Sequence, residues 1–187
     1  LLDNWAIFET TGGGTLSFDT LWDLEDYWDF GFVQVSTDGG YTWTSLTDNE
    51  GYSISDYDPS AHPKVVENVP GLTSYIVAPV TLSYDLSAYA GQDILVGFRL
   101  VTDWATHYGG WWIDNIHVHR KDPDYFLDYP FYDDAESGIN QWLSGGSWGR
   151  TNTVAWEGTH SFTDSPGVDY NTDTNTTLRT VYAIDLN

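Results

Sequence analysis

The chain has no cysteine and no methionine, and its 187 residues include only four Arg and two Lys. Without cysteine there is neither a disulfide nor a thiolate metal site, no Cys nucleophile can act, and redox state says nothing about compartment. Without methionine the first residue is not an initiator, which reads as a processed product or a piece of a longer chain whose signal peptide has gone. Six basic residues against 28 acidic ones leave a formal charge of −22 at pH 7, a balance that repels nucleic acid and anionic membranes. Neither is expected as a partner. No stretch approaches 18 apolar residues, so no membrane span is expected. Long runs of helical periodicity are missing as well. No H-E-x-x-H and no G-x-S-x-G occurs, and among 28 acids any pair of carboxylates is uninformative, so no enzyme activity is expected.

What is present is aromatic and β-like. Ten Trp, thirteen Tyr and eight Phe supply large core pieces for one domain of this length, and Gly, Thr, Asp and aromatics mark strands and turns throughout, so the fold class is all-β. The organising stretch is Ala90–His119, read as two strands joined by a loop around Thr106–Gly110. Ile94, Val96, Phe98 and Leu100 alternate on one side of the first. In the second, Trp112, Asp114, Ile116 and Val118 share a side by strict alternation. A carboxylate on an apolar face costs several kcal/mol unless compensated, roughly the scale of charge burial. Asp114 therefore reads as a calcium-type ligand or a hydrogen-bonded structural carboxylate.

In chain order, Leu1–Glu9 reads as a strand, Gly12–Gly14 as a turn and Thr15–Leu24 as a strand. Asp19, Asp23, Glu25, Asp26 and Asp29 then crowd together, either as a solvated loop or as ligands for a hard cation. Asp29–Trp43 reads as a hairpin turning at Asp38-Gly39-Gly40. Leu46–Val69 is loop-like, with His62 a solvated loop residue; Thr73–Ala88 returns to strand character, and Asp85–Gly91 turns into the organising pair. His117 and His119 alternate on one side of a strand, favouring a polar face over a metal pair. Arg120–Asp128 reads as a linker, dividing a main part (1–119) from a second portion (129–187) that ends in a strand over Thr177–Leu186. Asp164, Asp169 and Asp173 fall in a polar loop, and Asn175-Thr176-Thr177 is a glycosylation sequon.

Several motifs carry resemblances. Ser36, Asp38, Gly40, Thr42 and Trp43 spell S-x-D-x-G-x-T-W, which resembles the Asp-box turn of sialidase propellers; it occurs once here, so a structural turn is expected rather than a propeller. The runs DFGFVQVSTDGGYTW, DLSAYAGQDILVGFRLVTD and GGWWIDNIHV, with DDAESGINQW, SWGR, EGTHSFTDSPGVDYNTDTNTTL and AIDL, resemble the MAM-like jelly-roll modules that accompany immune-inhibitor-A-like secreted metallopeptidases and other prokaryotic surface proteins. The resemblance implies a jelly-roll β-sandwich, an extracellular or cell-surface location and no catalytic part. It also implies a reversed order, because in that family the segment like Asp133–Leu186 precedes the segment like Thr15–Val118. The C-terminal segment is then expected to complete the sandwich of its own chain, as a circular permutant, or of a neighbouring one. Donation to a neighbour implies a head-to-tail homopolymer, a filament or surface layer built by strand exchange. Calcium is the cofactor the resemblance implies, held by Asp114 with Asp133, Asp134 and Glu136. The alternative is a carbohydrate-binding or accessory module of a secreted protease, with Trp104, Tyr108 and Trp111, joined by Trp28 and His107, stacking on glycans.

Overall fold

Strict alternation in β1 (Gly14–Asp23) sets the first layer: Leu16, Phe18, Thr20 and Trp22 are buried and the residues between them half-buried, the pattern of a strand with one packed face. The computed structural model describes residues 13–121 and 127–186; the strand expected over Leu1–Glu9 lies outside the described residues. The other elements are β2 (Phe30–Ser36), β3 (Thr44–Ser45), the helix α1 (Pro63–Asn68), β4 (Val80–Asp85), β5 (Asp93–Val101), β6 (Gly110–Lys121), β7 (Leu127–Asp133), β8 (Trp142–Gly145), β9 (Gly149–Thr151), β10 (Ser161–Thr163), β11 (Asn175–Thr180) and β12 (Ile184–Asp185). The strands make two six-stranded sheets. One runs β4-β1-β6-β10-β9 with β7 also on β6; the other runs β3-β2-β5-β11-β8 with β12 also on β5. Every pairing is antiparallel. The protein is all-β, a jelly-roll sandwich.

The organising stretch occupies the centre of both layers. β5 lies in one sheet and β6 in the other, and strands from both parts of the chain flank each of them: β2 and β11 on β5, β1 and β10 on β6. Strands β7 to β12, which carry the described part of the 129–187 segment, complete the two sheets of the sandwich. The Arg120–Asp128 linker is shorter than expected, because Arg120 and Lys121 belong to β6 and Leu127 and Asp128 to β7, where Arg120 pairs Asp128; residues 122–126 lie outside the described residues. The C-terminal strand is also divided, into β11 and β12, and Thr73–Ala88 yields only the six residues of β4.

Ile94, Val96, Phe98 and Leu100 line the core as their spacing predicts. Strict alternation fails in β6. Trp111 and Ile113 point inward before Asp114, and Ile116 and Val118 after it, so Trp112 is not a core residue. The cause is a β-bulge: Ser17 faces His117 but Asp19 faces Asp114, one extra residue on β6, and Asn115 takes a left-handed φ of 49° to absorb it. Phe98 knits the two layers together. Its ring meets Phe18 at 5.0 Å, Trp111 at 5.7 Å and Trp142 at 5.8 Å between centroids, and Trp142 comes from the C-terminal segment. A smaller core, Phe30, Phe32, Ala61, Val65 and Val101, forms where α1 and its loop cover the outer face of β2 and β5. His62, expected to be solvated, instead caps α1: its Nδ1 accepts from the Lys64 amide at 3.0 Å.

Because Phe98 touches both parts of the chain, Phe98→Ala is expected to destabilise the whole molecule by about 3–5 kcal/mol. Urea unfolding followed by fluorescence and by far-UV circular dichroism should give one coincident transition; two separated transitions would mean the parts fold independently.

Candidate functional site

At one end of the sandwich three loops converge. Glu25 and Asp29 stand between β1 and β2, Asp103 follows β5, and Tyr170 precedes β11. The Glu25 carbonyl accepts the amides of Trp28 and Asp29 at 3.2 and 3.0 Å, a tight turn that folds Asp29 inward. Asp29 is fully buried. Its Oδ1 accepts the Asp103 amide at 2.7 Å and its Oδ2 the Tyr170 hydroxyl at 2.6 Å, while that hydroxyl accepts from the Glu25 amide at 3.3 Å. Asp103 is buried as well, and its Oδ1 accepts from the Ala105 amide at 2.9 Å.

One carboxylate oxygen from each of Glu25, Asp29 and Asp103 lies within 4.8 Å of the other two, and among the described residues no other set of three acidic or His side chains is so arranged. Like charges this close resist joint ionisation. Burial pushes the Asp29 carboxyl up to about 6, against the pull of its hydrogen bonds from Tyr170 and Asp103. Burial and the Asp29 hydrogen bond raise the Tyr170 hydroxyl, keeping it a donor. Glu25 Oε2 is buried with no hydrogen-bond partner. Hard oxygen donors with unspent lone pairs and excess negative charge suit a calcium-like cation, so the residues fit such an ion. The acidic crowding around residue 25 was visible in the sequence; Asp103 was not, because it joins Asp29 across 74 positions.

The four residues expected to hold calcium are each engaged elsewhere. Asp114, fully buried, accepts the amides of Asn115 at 2.8 Å and Trp156 at 3.0 Å, which is the hydrogen-bonded structural carboxylate. Asp133 accepts from the Ala135 amide, Gln141 Nε2 and Trp142 Nε1. Asp134 accepts from the Glu136 amide and the Tyr132 hydroxyl. Glu136 accepts the amides of Thr159 and His160, both at 2.7 Å, and the Thr159 hydroxyl at 2.9 Å, bonds that hold its carboxyl down at about 2. These bonds clasp loops and do not gather the four around one point.

The Asp38 turn forms as its spacing predicts. The carboxylate accepts the Thr42 amide at 2.9 and 3.0 Å, the Thr42 hydroxyl at 2.6 Å and the Ser36 hydroxyl at 2.7 Å; Gly40 donates to Ser36 Oγ and Trp43 Nε1 to the Gly40 carbonyl. Of the stacking candidates, Trp104 and Tyr108 are exposed, but Trp111 is fully buried with Nε1 on Thr20 Oγ1. The bulge gives Trp111 the inward parity, so it is a core residue and not a platform. His107 is exposed, and Trp28 packs on the smaller core. His117 and His119 share a face, their rings stacked at 5.6 Å. Asn175, at the start of β11, is exposed. Of the second acidic loop, Asp169 and Asp173 are exposed and Asp164 is buried.

The model of the family described as immune inhibitor A-like, MAM domain, matches residues 6–147, more than half of the 187-residue chain. No curated protein matches, and no solved structure does.

Asp164 gives a pH test outside the loop cluster. Its Oδ1 accepts from the Trp111 amide at 2.8 Å while its Oδ2 is buried without a partner, and burial pushes the carboxyl up to about 7. A raised folded value means that the neutral form is the stabilising one: its contribution is full below the unfolded value near 4 and is lost as pH rises through about 7. Melting temperature should therefore fall from pH 5 to pH 8 in the parent protein, and Asp164→Asn, which stays neutral, should flatten that part of the profile. An unchanged slope in the variant would reject this account.

Proposed function

The chain belongs to the immune inhibitor A-like MAM domain family, and from that premise we propose that it is a non-catalytic, extracellular accessory module of a secreted protein, a rigid sandwich whose loop end is clamped by calcium. The observation that carries this reading is the Glu25–Asp29–Asp103 cluster. With a net charge of −22 the folded chain repels itself, and three converging carboxylates concentrate that repulsion where the loops meet. A bound divalent cation would neutralise them and tie the segment after β1, the segment after β5 and the Tyr170 loop into one body. Calcium is supplied outside the cell, which is where a secreted module works.

The intrachain pairing of β7 with β6, β10 with β6 and β11 with β5 supports a self-contained module. A head-to-tail homopolymer built by strand exchange would form these same registers between neighbouring chains. Sizing separates the two: a self-contained module runs as a 21.0 kDa monomer at high concentration with calcium present, whereas fibres or a concentration-dependent ladder of species would favour exchange.

Added calcium is expected to raise the melting temperature of the parent at pH 7 by several degrees, as ligand binding to the folded state alone requires. Asp103→Asn should remove the calcium increment while leaving the chain folded. An identical melting temperature with calcium and with chelator would overturn the clamp.

A further inference from the structure

On the outer face of the second sheet, strand register sets side chains in rows. Gln34 of β2, Gly97 of β5 and Arg179 of β11 form one row; Arg99 of β5 and Thr177 of β11 form the next. Gly97 contributes no side chain, so the row opens into a recess of about 110 Å³ lined by Gln34, Trp43, Gly97, Arg99, Thr177 and Arg179. Trp43 is one wall. A Cβ on Gly97 would stand 2.9 Å from its ring, so the glycine is what lets the indole settle there, and the Asp38 turn holds the ring in place.

The charge in this recess is out of keeping with the rest of the molecule. Acidic residues outnumber basic ones 28 to 6; of the other cations whose side chains are described, Lys64 pairs with Glu67 and Arg120 with Asp185, while Arg150 donates to the Glu136 carbonyl and has, like Arg99, a buried Nε without a partner. Among the described residues Arg99 and Arg179 make no ion pair with a carboxylate. Arg99 donates one bond, Nη1 to Asn68 Oδ1 at 3.3 Å, and its Nε is buried with no hydrogen-bond partner. Two guanidiniums line one recess, with Glu67 the one carboxylate whose charge acts on Arg99, and a bound oxyanion would pair with their accessible donors. The neighbouring groups say what the oxyanion is attached to. Gln34 spends both amide hydrogens, on Ser45 Oγ at 3.1 Å and Asn68 Oδ1 at 2.7 Å, which leaves its carbonyl oxygen to accept; Thr177 carries a hydroxyl; and Trp43 offers a ring surface.

We propose that this recess binds a hexuronic acid, the acidic sugar of many extracellular polysaccharides. The carboxylate pairs with Arg99 and Arg179, the apolar face of the sugar ring lies against Trp43, and its hydroxyls meet Gln34 and Thr177. The site shares no residue with the Glu25–Asp29–Asp103 cluster, so either can fail without the other.

The test is titration of the protein, without added calcium, by NMR and calorimetry with sodium glucuronate, glucose, acetate and inorganic phosphate. Glucuronate should bind saturably with a Kd below about 10 mM, acetate and phosphate at least about tenfold more weakly, and glucose not at all. Arg179→Gln, at a half-exposed position and checked for an unchanged melting temperature, should weaken glucuronate by about tenfold or more. Arg99→Gln should do the same where it folds. Lack of saturation by glucuronate, or binding unaltered in Arg179→Gln, would remove the site. Acetate or phosphate binding as tightly as glucuronate would remove the sugar.

Discussion

Much of this molecule hangs on one edge-to-face contact across the core, Phe98 of β5 against Trp111 of β6. These two strands are the central members of the two sheets, and the ring contact is where the layers interlock. Each ring then takes a Trp from the other end of the chain: Trp142 lies against Phe98, and Trp148 against Trp111 at 5.8 Å. Aromatic pairs of this geometry are each worth about 0.5–1.5 kcal/mol beyond burial. Their larger effect is geometric, because they fix where the C-terminal strands dock. Strands β7 and β10 pair with β6 and strands β11 and β12 with β5, while β8 and β9 extend the two sheets from β11 and β10.

A protein with so many carboxylates must settle those that it buries, and this one has two devices for doing so. Asp114, Asp133 and Asp48 take hydrogen bonds from backbone amides, which turns each charge into a clasp for a loop. Asp164 keeps a proton well above the usual carboxylate range. Asp29, held with Glu25 and Asp103, has a charge that neither device fully settles, and that residue of unsettled charge is what recommends a cation there. The scarce positive charge is handled just as selectively. Arg99 and Arg179 make no ion pair with a carboxylate among the described residues, and strand register brings them to one recess on a sheet face.

A good part of this was legible beforehand. The all-β class followed from missing helical periodicity, and the family resemblance followed from motifs of which those from DFGFVQVSTDGGYTW to DDAESGINQW lie within the family match over residues 6–147. The Asp38 turn was legible to the residue, since its bonds span two to four positions. The inward side of β5 was too. Trp111 and Trp112 were assigned to the wrong sides because a single extra residue at the bulge inverts parity for everything N-terminal to it, and no local composition announces a bulge formed by a non-glycine residue at φ 49°.

The amino-acid sequence by itself determined whatever depends on neighbours along the chain: strand alternation, turns closed by their own side chains, the acid excess and the absence of thiol chemistry. Only the tertiary structure decided which charges meet. Asp103 reaches Asp29 across 74 positions, and Arg179 lies beside Arg99 only because Thr177 pairs with Arg99 in the register of β11 on β5. The physical reason is that spacing sets the face a side chain occupies, whereas convergence depends on strand order and register, which the packing of distant rings selects.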